Sequence, residues 1–354
     1  MEQITKRNIW NDILKNEFEN LQDIYFNYDY FELFAKTYKT KPEGIYWEDK
    51  NLKIFWTHLI REISRIKLYE NFKYFDLVTP YGYGGPLIYK KVKNIELIEN
   101  SIKQFYVDYR KLMEENGMVS EFVRFHPVLK NWEESERFFD IKYSNQVIIL
   151  DLSQSYEDIW KNMEKKTRYY TNKALKEFPD IYISHNPSEE EIEEFISLYK
   201  ATMDKNRASE KYYFSKNFIK NHFNLNCLYI SCNNKDGITG AISLFLKGHT
   251  IMHYHLSATN DYFKSSPSRA VLWSAIEWAK EQGLKWFHFG GGVGTEDNLY
   301  RFKRGFSKTQ LPFHMGRIIH NSKIYNNLAS LNPLIKKDPN FFPLYRVGMD
   351  KNII

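Results

Sequence analysis

Apolar residues recur along this chain at two spacings, which predict helices and strands. Between Ile95 and Tyr109 they fall three or four residues apart, as on one face of a helix, and Gly117 follows as a natural stop. Short runs rich in apolar residues, such as Gln146–Leu152 and Leu284–Phe289, predict buried strands. The pattern therefore predicts an α+β chain.

The predicted elements follow one plan twice: helices, then antiparallel strands, then a helix that leads into a final strand. The first half opens with a helical region at 8–37. We expect two domains, over residues 1–145 and 146–354, each with a mixed sheet flanked by helices. The predicted strands lie at 43–48, 52–58, 119–125, 146–152, 226–232, 238–247, 250–257, 284–289 and 312–319.

Capping signals mark three helix starts in the second half. They are Ser155 with Asp158, Ser188 with Glu191, and the pair Ser266-Pro267. The first predicts a helix over Tyr156–Glu177, and the last predicts one that ends at Gly283.

The segment Gly290–Phe306 has the densest candidate chemistry. Glycines at 290, 291, 292 and 294 follow a predicted strand and leave backbone N–H groups open to a ligand. If the following part is extended, Arg301 and Lys303 share one face, and the other carries Tyr300, Phe302 and Arg304. A cationic face beside a glycine-rich loop suits a phosphate or a developing oxyanion. The alternative is a solvated basic strand after a flexible turn.

The predicted helix Tyr156–Glu177 has two different faces. Its packing face is formed by Trp160, Met163, Thr167, Tyr170 and Ala174. The opposite side is cationic and contains Lys161, Lys165, Lys166, Arg168, Lys173 and Lys176. This side is either a solvated charged face or a surface for an anionic ligand.

Two histidines lie at the end of a predicted strand, in the run His253–Ser257. Strict alternation would place His253, His255 and Ser257 on one face, with Tyr254 and Leu256 on the other. A neutral histidine there can accept the proton of an attacking amine. A structural role is the alternative, and a metal site is disfavoured because no third ligand is near in sequence.

Composition narrows the function only modestly. The 354-residue chain has a net charge of +6 and 17% aromatic residues, compatible with anionic ligands but without an arginine-rich tail. Cys227 and Cys232 fall on opposite faces of a predicted strand, which disfavours a disulfide and fits a reducing cytoplasm. No apolar run is long enough for a signal peptide or a membrane span, so we expect a cytoplasmic protein whose membrane contact would be peripheral, at the inner face.

Four motifs together resemble the Fem-type aminoacyltransferases, a branch of the N-acetyltransferase-like (GNAT) superfamily that builds peptidoglycan bridges. They occur in the family's order and span about 230 residues: Tyr74–Leu87, Val123–Val128, Lys165–Ala174 and Leu299–Phe306. The resemblance implies two tandem GNAT-like domains, with most of the active site in the second.

The resemblance also implies roles for individual residues. Lys303 would stabilise the oxyanion, His255 or a chain of waters would remove the proton, and Arg168 or Lys166 would hold the acceptor's diphosphate. Further substrate-binding candidates are Tyr170, Tyr254, Gly291, Gly292 and Arg301.

The implied reaction moves an aminoacyl or acyl group onto an amine of an activated cell-wall or surface-polysaccharide precursor, linked to a nucleotide or a lipid. No permanently bound cofactor or metal is expected, and the donor is aminoacyl-tRNA or acyl-CoA. The loop Asn260–Ser268 lacks the glycines of an acyl-CoA pyrophosphate loop, whereas residues 188–223 offer no long helical arm for tRNA. The alternatives are an acyl-CoA-dependent N-acyltransferase acting on an amino sugar, and a non-enzymatic module that binds RNA or a membrane.

Overall fold

A computed structural model of the chain describes residues 1–292, 294 and 297–349. Numbered in chain order, its strands are β1 Glu2–Ile4, β2 Lys41–Glu48, β3 Leu52–Glu62, β4 Phe75–Val78, β5 Gly85–Lys90, β6 Met118–Arg124, β7 Asp140–Asp151, β8 Asp180–Ser184, β9 Cys227–Asn233, β10 Thr239–Lys247, β11 Ile251–Thr259, β12 Trp286–Gly290 and β13 Gln310–Ile319. The helices are α1 Arg7–Glu17, α2 Tyr28–Tyr38, α3 Ile95–Glu115, α4 Tyr156–Asn162, α5 Lys165–Glu177, α6 Glu189–Lys205, α7 Lys216–Asn221, α8 Ser268–Glu281, α9 Asn298–Arg304 and α10 Ser322–Leu331. Short 3-10 turns occur at Ile24–Phe26, Ile63–Arg65, Lys67–Tyr69, Glu133–Ser135, Glu210–Tyr212, His222–Asn224, Ile335–Lys337 and Leu344–Arg346.

The predicted α+β class and the nine predicted strands are confirmed, and each strand overlaps a strand of the structure. Two helix predictions and one conditional expectation of extended chain need correction. The region 8–37 is two helices joined by a 3-10 turn, and the predicted helix Tyr156–Glu177 is broken into α4 and α5 around Met163. The third concerns the stretch considered as extended after the glycines, which is the helix α9.

The chain divides into two units. The first comprises Met1–Ser144 together with the chain from Phe313 onward, and the second comprises Asn145–Pro312. This division departs from the predicted 1–145 and 146–354 at its C-terminal end. The reason lies in the pairing of β13, whose Met315–Ile319 part is antiparallel to β6. That the two domains superpose stays a prediction.

In the first unit, the sheet has the order β1-β2-β3-β4-β6-β13, and β5 also pairs with β3. These pairs are antiparallel except β4 and β6, which are parallel and are connected through α3. The core between α3 and the sheet is aromatic: the buried ring of Trp56 packs against Phe105, Tyr109 and Phe139. The sheet of this unit is therefore mixed, with a helix crossover at its parallel pair.

A buried carboxylate joins the C-terminal segment to the start of β4. Asp76 is fully buried and accepts hydrogen bonds from Arg61 Nε at 2.5 Å, Arg346 Nε at 2.6 Å and the Tyr345 hydroxyl at 2.9 Å. Burial alone would raise the pKa of Asp76, but Arg346 and Arg61 hold it below its ordinary value. Asp76 is therefore a charged anchor within the first unit.

The second unit also contains a parallel strand pair connected through a helix. Its sheet has the order β7-β12-β11-β10-β9-β8, and the parallel pair β11 and β12 is connected through α8. Alternate residues of β9 face opposite sides of the sheet. Leu228 and Ile230 pack in the core with residues of α5 and α8. Tyr229 points to the other side, where burial and then the neighbouring Glu194 of α6 raise its pKa. Helices α5 and α8 therefore cover one face of this sheet, and α6 covers the other.

We predict that Asp76→Asn destabilises the protein by about 3 kcal/mol, because two buried guanidinium groups lose their shared counter-charge. Since the pKa of Asp76 is lowered on folding, its contribution is present above the unfolded pKa, near 3.9, and is lost as the pH falls through the folded pKa. Urea unfolding of both proteins between pH 7 and pH 3 measures this: the gap should narrow towards the acid end. Asp140→Asn, in the exposed pair with Lys142, is the control and should change stability by less than about 1 kcal/mol.

Candidate active site

In the second unit, the parallel pairing of β11 with β12 stops before either strand ends. Pairing of β11 with β12 extends from Ile251 opposite Trp286 to His253 opposite His288. Beyond these residues β11 runs on to Thr259, alongside β10, while β12 ends at Gly290, alongside β7. The carboxyl ends of parallel strands are a common place for ligands in mixed sheets.

A buried lysine of helix α9 lies where this parallel pairing stops. Lys303 is 7% exposed, and its Nζ donates a hydrogen bond to the carbonyl oxygen of Gly291 at 2.7 Å. The same Nζ lies 5.8 Å from the centroid of the Tyr254 ring. The ammonium therefore contacts the end of β12 and the first residue of β11 beyond the parallel pairing, as expected for a lysine beside the glycine-rich loop.

The helical conformation of this segment changes the expected sharing of a face. Residues two apart point to nearly opposite sides of a helix, so Arg301 is exposed while Lys303 is buried. Tyr300, three residues before Lys303, is buried with it and donates its hydroxyl to Gln310 Oε1 at 2.6 Å. The expectation that Arg301 and Lys303 share one cationic face is therefore wrong.

The glycine-rich loop allows α9 to begin so close to β12. Asp297 caps the helix: its carboxylate accepts from the N–H of Tyr300 at 2.7 Å and of Gly294 at 2.8 Å. A Cβ on Gly292 would lie 2.5 Å from this carboxylate, and Gly290 has φ +78° with an added Cβ only 3.2 Å from Lys303 Nζ. Gly291 supplies its carbonyl rather than its N–H to Lys303. Val293, Thr295 and Glu296 lie outside the described residues.

The site perturbs Lys303 electrostatically. Burial lowers the pKa of Lys303 to about 8, against a smaller rise from Asp297. Near neutral pH this lysine is therefore mostly charged, in a setting where its charge is poorly hydrated.

A β-bulge at His255 changes which β11 side chains share a face. Opposite β10, Leu244 faces Leu256 but Phe245 faces Tyr254, so His255 is the extra residue. Beyond the bulge the alternation is shifted, and Ser257, opposite Ser243 with the hydroxyl oxygens 2.9 Å apart, lies on the Tyr254 side. The expectation that grouped Ser257 with His253 and His255 is therefore wrong, because it assumed unbroken alternation.

His255 contacts a histidine that the sequence did not single out. Its Nε2 lies 3.0 Å from Nε2 of His222, in the turn that follows α7. His222 Nδ1 lies 2.8 Å from the carbonyl oxygen of Phe218, which only accepts, so this nitrogen carries a proton. A neutral His222 then accepts at Nε2, His255 donates from Nε2, and the lone pair of His255 lies on Nδ1.

Burial keeps this histidine pair neutral. It lowers the pKa of His222 to about 4, and burial, followed by the His222 neighbour, lowers that of His255 well below its ordinary value. Since Tyr254 packs with Phe245 on the α8 side, Tyr254 and His255 leave β11 towards different faces. His255 is therefore not on the face where Lys303 meets the Tyr254 ring.

We predict fixed tautomers for this pair. At pH 7, ¹⁵N-resolved NMR should show His222 protonated at Nδ1 and His255 protonated at Nε2, with neither ring titrating between pH 8 and pH 5. In His222→Ala the tautomer of His255 is no longer imposed, and its signals should become those of a mixture. A charged His255 at pH 6.5 in the wild-type protein would contradict the arrangement.

The break between α4 and α5 explains the position of Arg168. Its Nη1 donates to the carbonyl oxygens of Lys161 at 2.6 Å and Met163 at 2.9 Å, at the C-terminal end of α4. A guanidinium at a helix C-terminus satisfies carbonyl groups that the helix leaves unpaired. Lys166, by contrast, is exposed. The structure thus gives Arg168 a helix-capping role that the sequence did not suggest.

We predict that Arg168→Ala lowers the free energy of unfolding by about 1–2 kcal/mol, because two carbonyl groups lose a charged donor. Lys166→Ala, two residues earlier and exposed, should leave stability within about 0.5 kcal/mol of wild type. Urea unfolding of both variants checks this, and equal stabilities would show that the capping contacts are unimportant.

Arg269 is a second residue that sequence reasoning missed. It is the second residue of α8, and its guanidinium lies over the rings of Phe302 at 4.8 Å, Phe306 at 5.7 Å and Tyr170 at 5.9 Å. Within the described part of the chain, its buried Nε and Nη1 have no hydrogen-bond partner. The half-buried Tyr170 thus lies beside a cation with unused donors. The available signal was an arginine two residues after the proline of a predicted helix start.

Comparison with known proteins supports an acyltransferase. Residues 162–304, most of the second unit, match the family described as "Acetyltransferase (GNAT) domain". No curated protein sequence matches the chain.

Solved structures share the fold over nearly the whole chain. The crystal structure of FemX has a TM-score of 0.66 at 11% identity, covering 92% of this chain and 99% of that one. The C-terminal domain of a protein assigned as a lysylphosphatidylglycerol synthetase from Agrobacterium fabrum has a TM-score of 0.52 at 10% identity, covering 90% and 94%. L-PGS from Bacillus licheniformis has a TM-score of 0.51 at 12% identity, covering 82% and 91%.

These findings establish the fold and the general chemistry. The chain has the mixed-sheet fold of FemX, which confirms the Fem-type resemblance at the level of fold, and it is an acyltransferase of the GNAT type. The non-enzymatic alternative is thereby disfavoured. Within the described residues, no helix combines the length and apolar character that crossing a bilayer requires.

Proposed function

We propose that this acyltransferase moves an aminoacyl or acyl group onto an amine of an activated cell-wall or surface-polysaccharide precursor. The observation that carries the proposal is the buried ammonium of Lys303 at the separating ends of β11 and β12. The likeness to FemX and to two lysyl-transfer-related structures favours an aminoacyl donor.

In the proposed reaction the acceptor amine attacks the carbonyl carbon of the donor's ester or thioester. The carbonyl π bond becomes a lone pair on an oxyanion, and the oxyanion then collapses to an amide and expels the tRNA hydroxyl or the thiol. Lys303 would stabilise the oxyanion, because a poorly hydrated ammonium interacts strongly with negative charge that develops nearby. One of its three N–H groups is used by Gly291 O, which fixes its direction.

The proton lost by the amine must reach the leaving group. His255 is a weak base because its pKa is low, although its neutral form is always available. His255 and Tyr254 leave β11 towards different faces. We therefore propose that a water takes the proton from the amine, instead of His255 in direct contact with it.

For the acceptor's phosphates, exposed Lys166 is the better-placed candidate, since Nη1 of Arg168 is engaged with α4. Tyr254, Gly291 and Gly292 surround the Lys303 ammonium or its helix cap and would line the reacting groups. Arg301 lies on α9, two residues before Lys303, and Tyr170 lies on α5. Their roles in binding stay predictions.

The runner-up is an N-acyltransferase that uses acyl-CoA on an amino sugar. Arg269 favours it specifically, because an arginine with unused donors at the start of α8 suits a diphosphate. Purified protein incubated separately with radiolabelled acetyl-CoA and with charged tRNA, each with nucleotide-linked acceptors, distinguishes the two donors. Transfer from neither donor to any amine would overturn both.

We predict that Lys303→Met lowers kcat by about 10²–10³-fold, while the folded state persists because the apolar stem is retained. Lys303→Arg keeps a charge that does not titrate in this range. Since the pKa of Lys303 is about 8, the charged form is lost above that pH, and the wild-type rate divided by the Lys303→Arg rate should fall as pH rises from 7 to 9. Taking this ratio cancels the titration of the acceptor amine. Wild-type turnover in Lys303→Met would exclude the catalytic role.

A further inference from the structure

The first unit contains a cavity of about 330 Å³ that the proposed chemistry does not use. It lies beside the ends of α2 and β3 and the C-terminal turn that contains Arg346. This volume is at the lower end of the range for small-molecule sites, roughly 300–1,000 Å³. It therefore has room for a small organic molecule.

The lining of the cavity is strongly cationic. Among the described residues, the lining includes Lys39, Arg61, Arg65, Lys67 and Arg346, and its one carboxylate is that of Glu62. Arg65 and Lys41 already pair with Glu62, at 3.2 and 3.6 Å. Positive charge therefore remains in excess around the cavity.

Two of these cations are buried. Arg61 is 6% and Arg346 3% exposed, and both direct Nε to the single carboxylate of Asp76. The two guanidinium groups thus share one carboxylate, and like charges that lie close together in a low-dielectric setting repel each other. Arg124 adds to the field: burial, followed by the neighbouring charge of Arg61, lowers the pKa of Arg124 to about 10. An anion in the cavity would relieve this repulsion.

Another cation of the lining, the exposed Lys39, has a strained backbone. Lys39 ends α2 in the left-handed conformation with φ +53°, where glycine is normally favoured. Beyond the cations the lining is apolar and aromatic, with Tyr38, Ile66, Leu68 and Met349. The ligand should therefore combine an anionic group with a short uncharged portion.

We propose that this cavity binds a small phosphate ester, with its phosphate held by Arg61 and Arg346 and its organic portion against the apolar lining. Planar guanidinium groups match phosphate oxygens in pairs, which favours phosphate over a single carboxylate. Such a group occurs both on free metabolites and on phospholipid headgroups, and the chemistry that recognises it is the same.

The experiment measures binding to the full chain at low ionic strength with three probes. Calorimetry uses inorganic phosphate and glycerol 3-phosphate; sedimentation uses vesicles of phosphatidylcholine with and without phosphatidylglycerol. Lys39→Gly removes a lining charge and relieves the left-handed strain, so this variant should be at least as stable as wild type. Its matched control is Lys130→Gly, an exposed lysine with the same φ of +53° that does not line the cavity.

We expect glycerol 3-phosphate to bind more tightly than inorganic phosphate. Lys39→Gly should weaken binding about threefold, and Lys39→Gly with Lys67→Gln about tenfold, while Lys130→Gly leaves it unchanged. Arg61→Lys keeps the charge beside Asp76 but loses the planar fork, and should weaken binding by at least about tenfold. Binding of glycerol 3-phosphate in solution supports a free metabolite, and binding only to phosphatidylglycerol vesicles supports a lipid headgroup.

Two results would overturn the proposal: no binding of any probe, or binding that the Lys39→Gly and Lys67→Gln pair weakens no more than Lys130→Gly does. If Arg61→Lys fails to fold, the lysine variants of the lining still decide. The readout is binding alone, so it is independent of the transfer reaction proposed for the second unit.

Discussion

The hydrogen bond from Lys303 to the Gly291 carbonyl is the interaction on which the candidate site depends. It forms because β12 ends in glycine with a left-handed φ, and because Asp297 starts α9 only a few residues later. The ammonium lies where the parallel pairing of β11 with β12 stops, beside the Tyr254 ring. A side chain at Gly290 or Gly292 would displace the lysine or its helix cap. The absence of a side chain at these glycines, which lets Lys303 and Asp297 approach the backbone closely, therefore matters as much as the backbone conformations that glycine can adopt.

Both units are organised by the same topological device, a parallel pair joined by a helix within an otherwise antiparallel sheet. In the second unit the charge lies at the carboxyl ends of that pair, as Lys303. In the first unit a charge cluster lies at the opposite end, where Asp76 at the start of β4 holds Arg61 and Arg346. One fold thus supports polar clusters at different ends of its strands, and the chemistry depends on the side chains rather than on the topology.

Sequence patterns predicted what is local. The nine predicted strands and the Ser188–Glu191 capping box are in place, because apolar spacing and capping act over a few residues. The predictions that failed depend on a single irregular residue or on contacts between residues far apart in the sequence. The bulge at His255 shifts the alternation by a single position, and a break at Met163 redirects Arg168 to α4. His222 lies 33 residues from His255, a pairing that no periodicity reveals.

Burial lowers the pKa of both Lys303 and the His222–His255 pair, but for different structural reasons. Lowering the pKa of Lys303 to about 8 means that burial disfavours its charged form by roughly 3 kcal/mol relative to water. A carbonyl such as that of Gly291 could be satisfied by a neutral donor at far lower cost, so packing alone does not explain a lysine here. Perturbed groups concentrate where charge is used. The neutral histidine pair is different: its desolvation is matched by a defined chain of hydrogen bonds to Phe218 O, which stabilises one tautomer. The burial of Lys303 therefore requires a functional explanation.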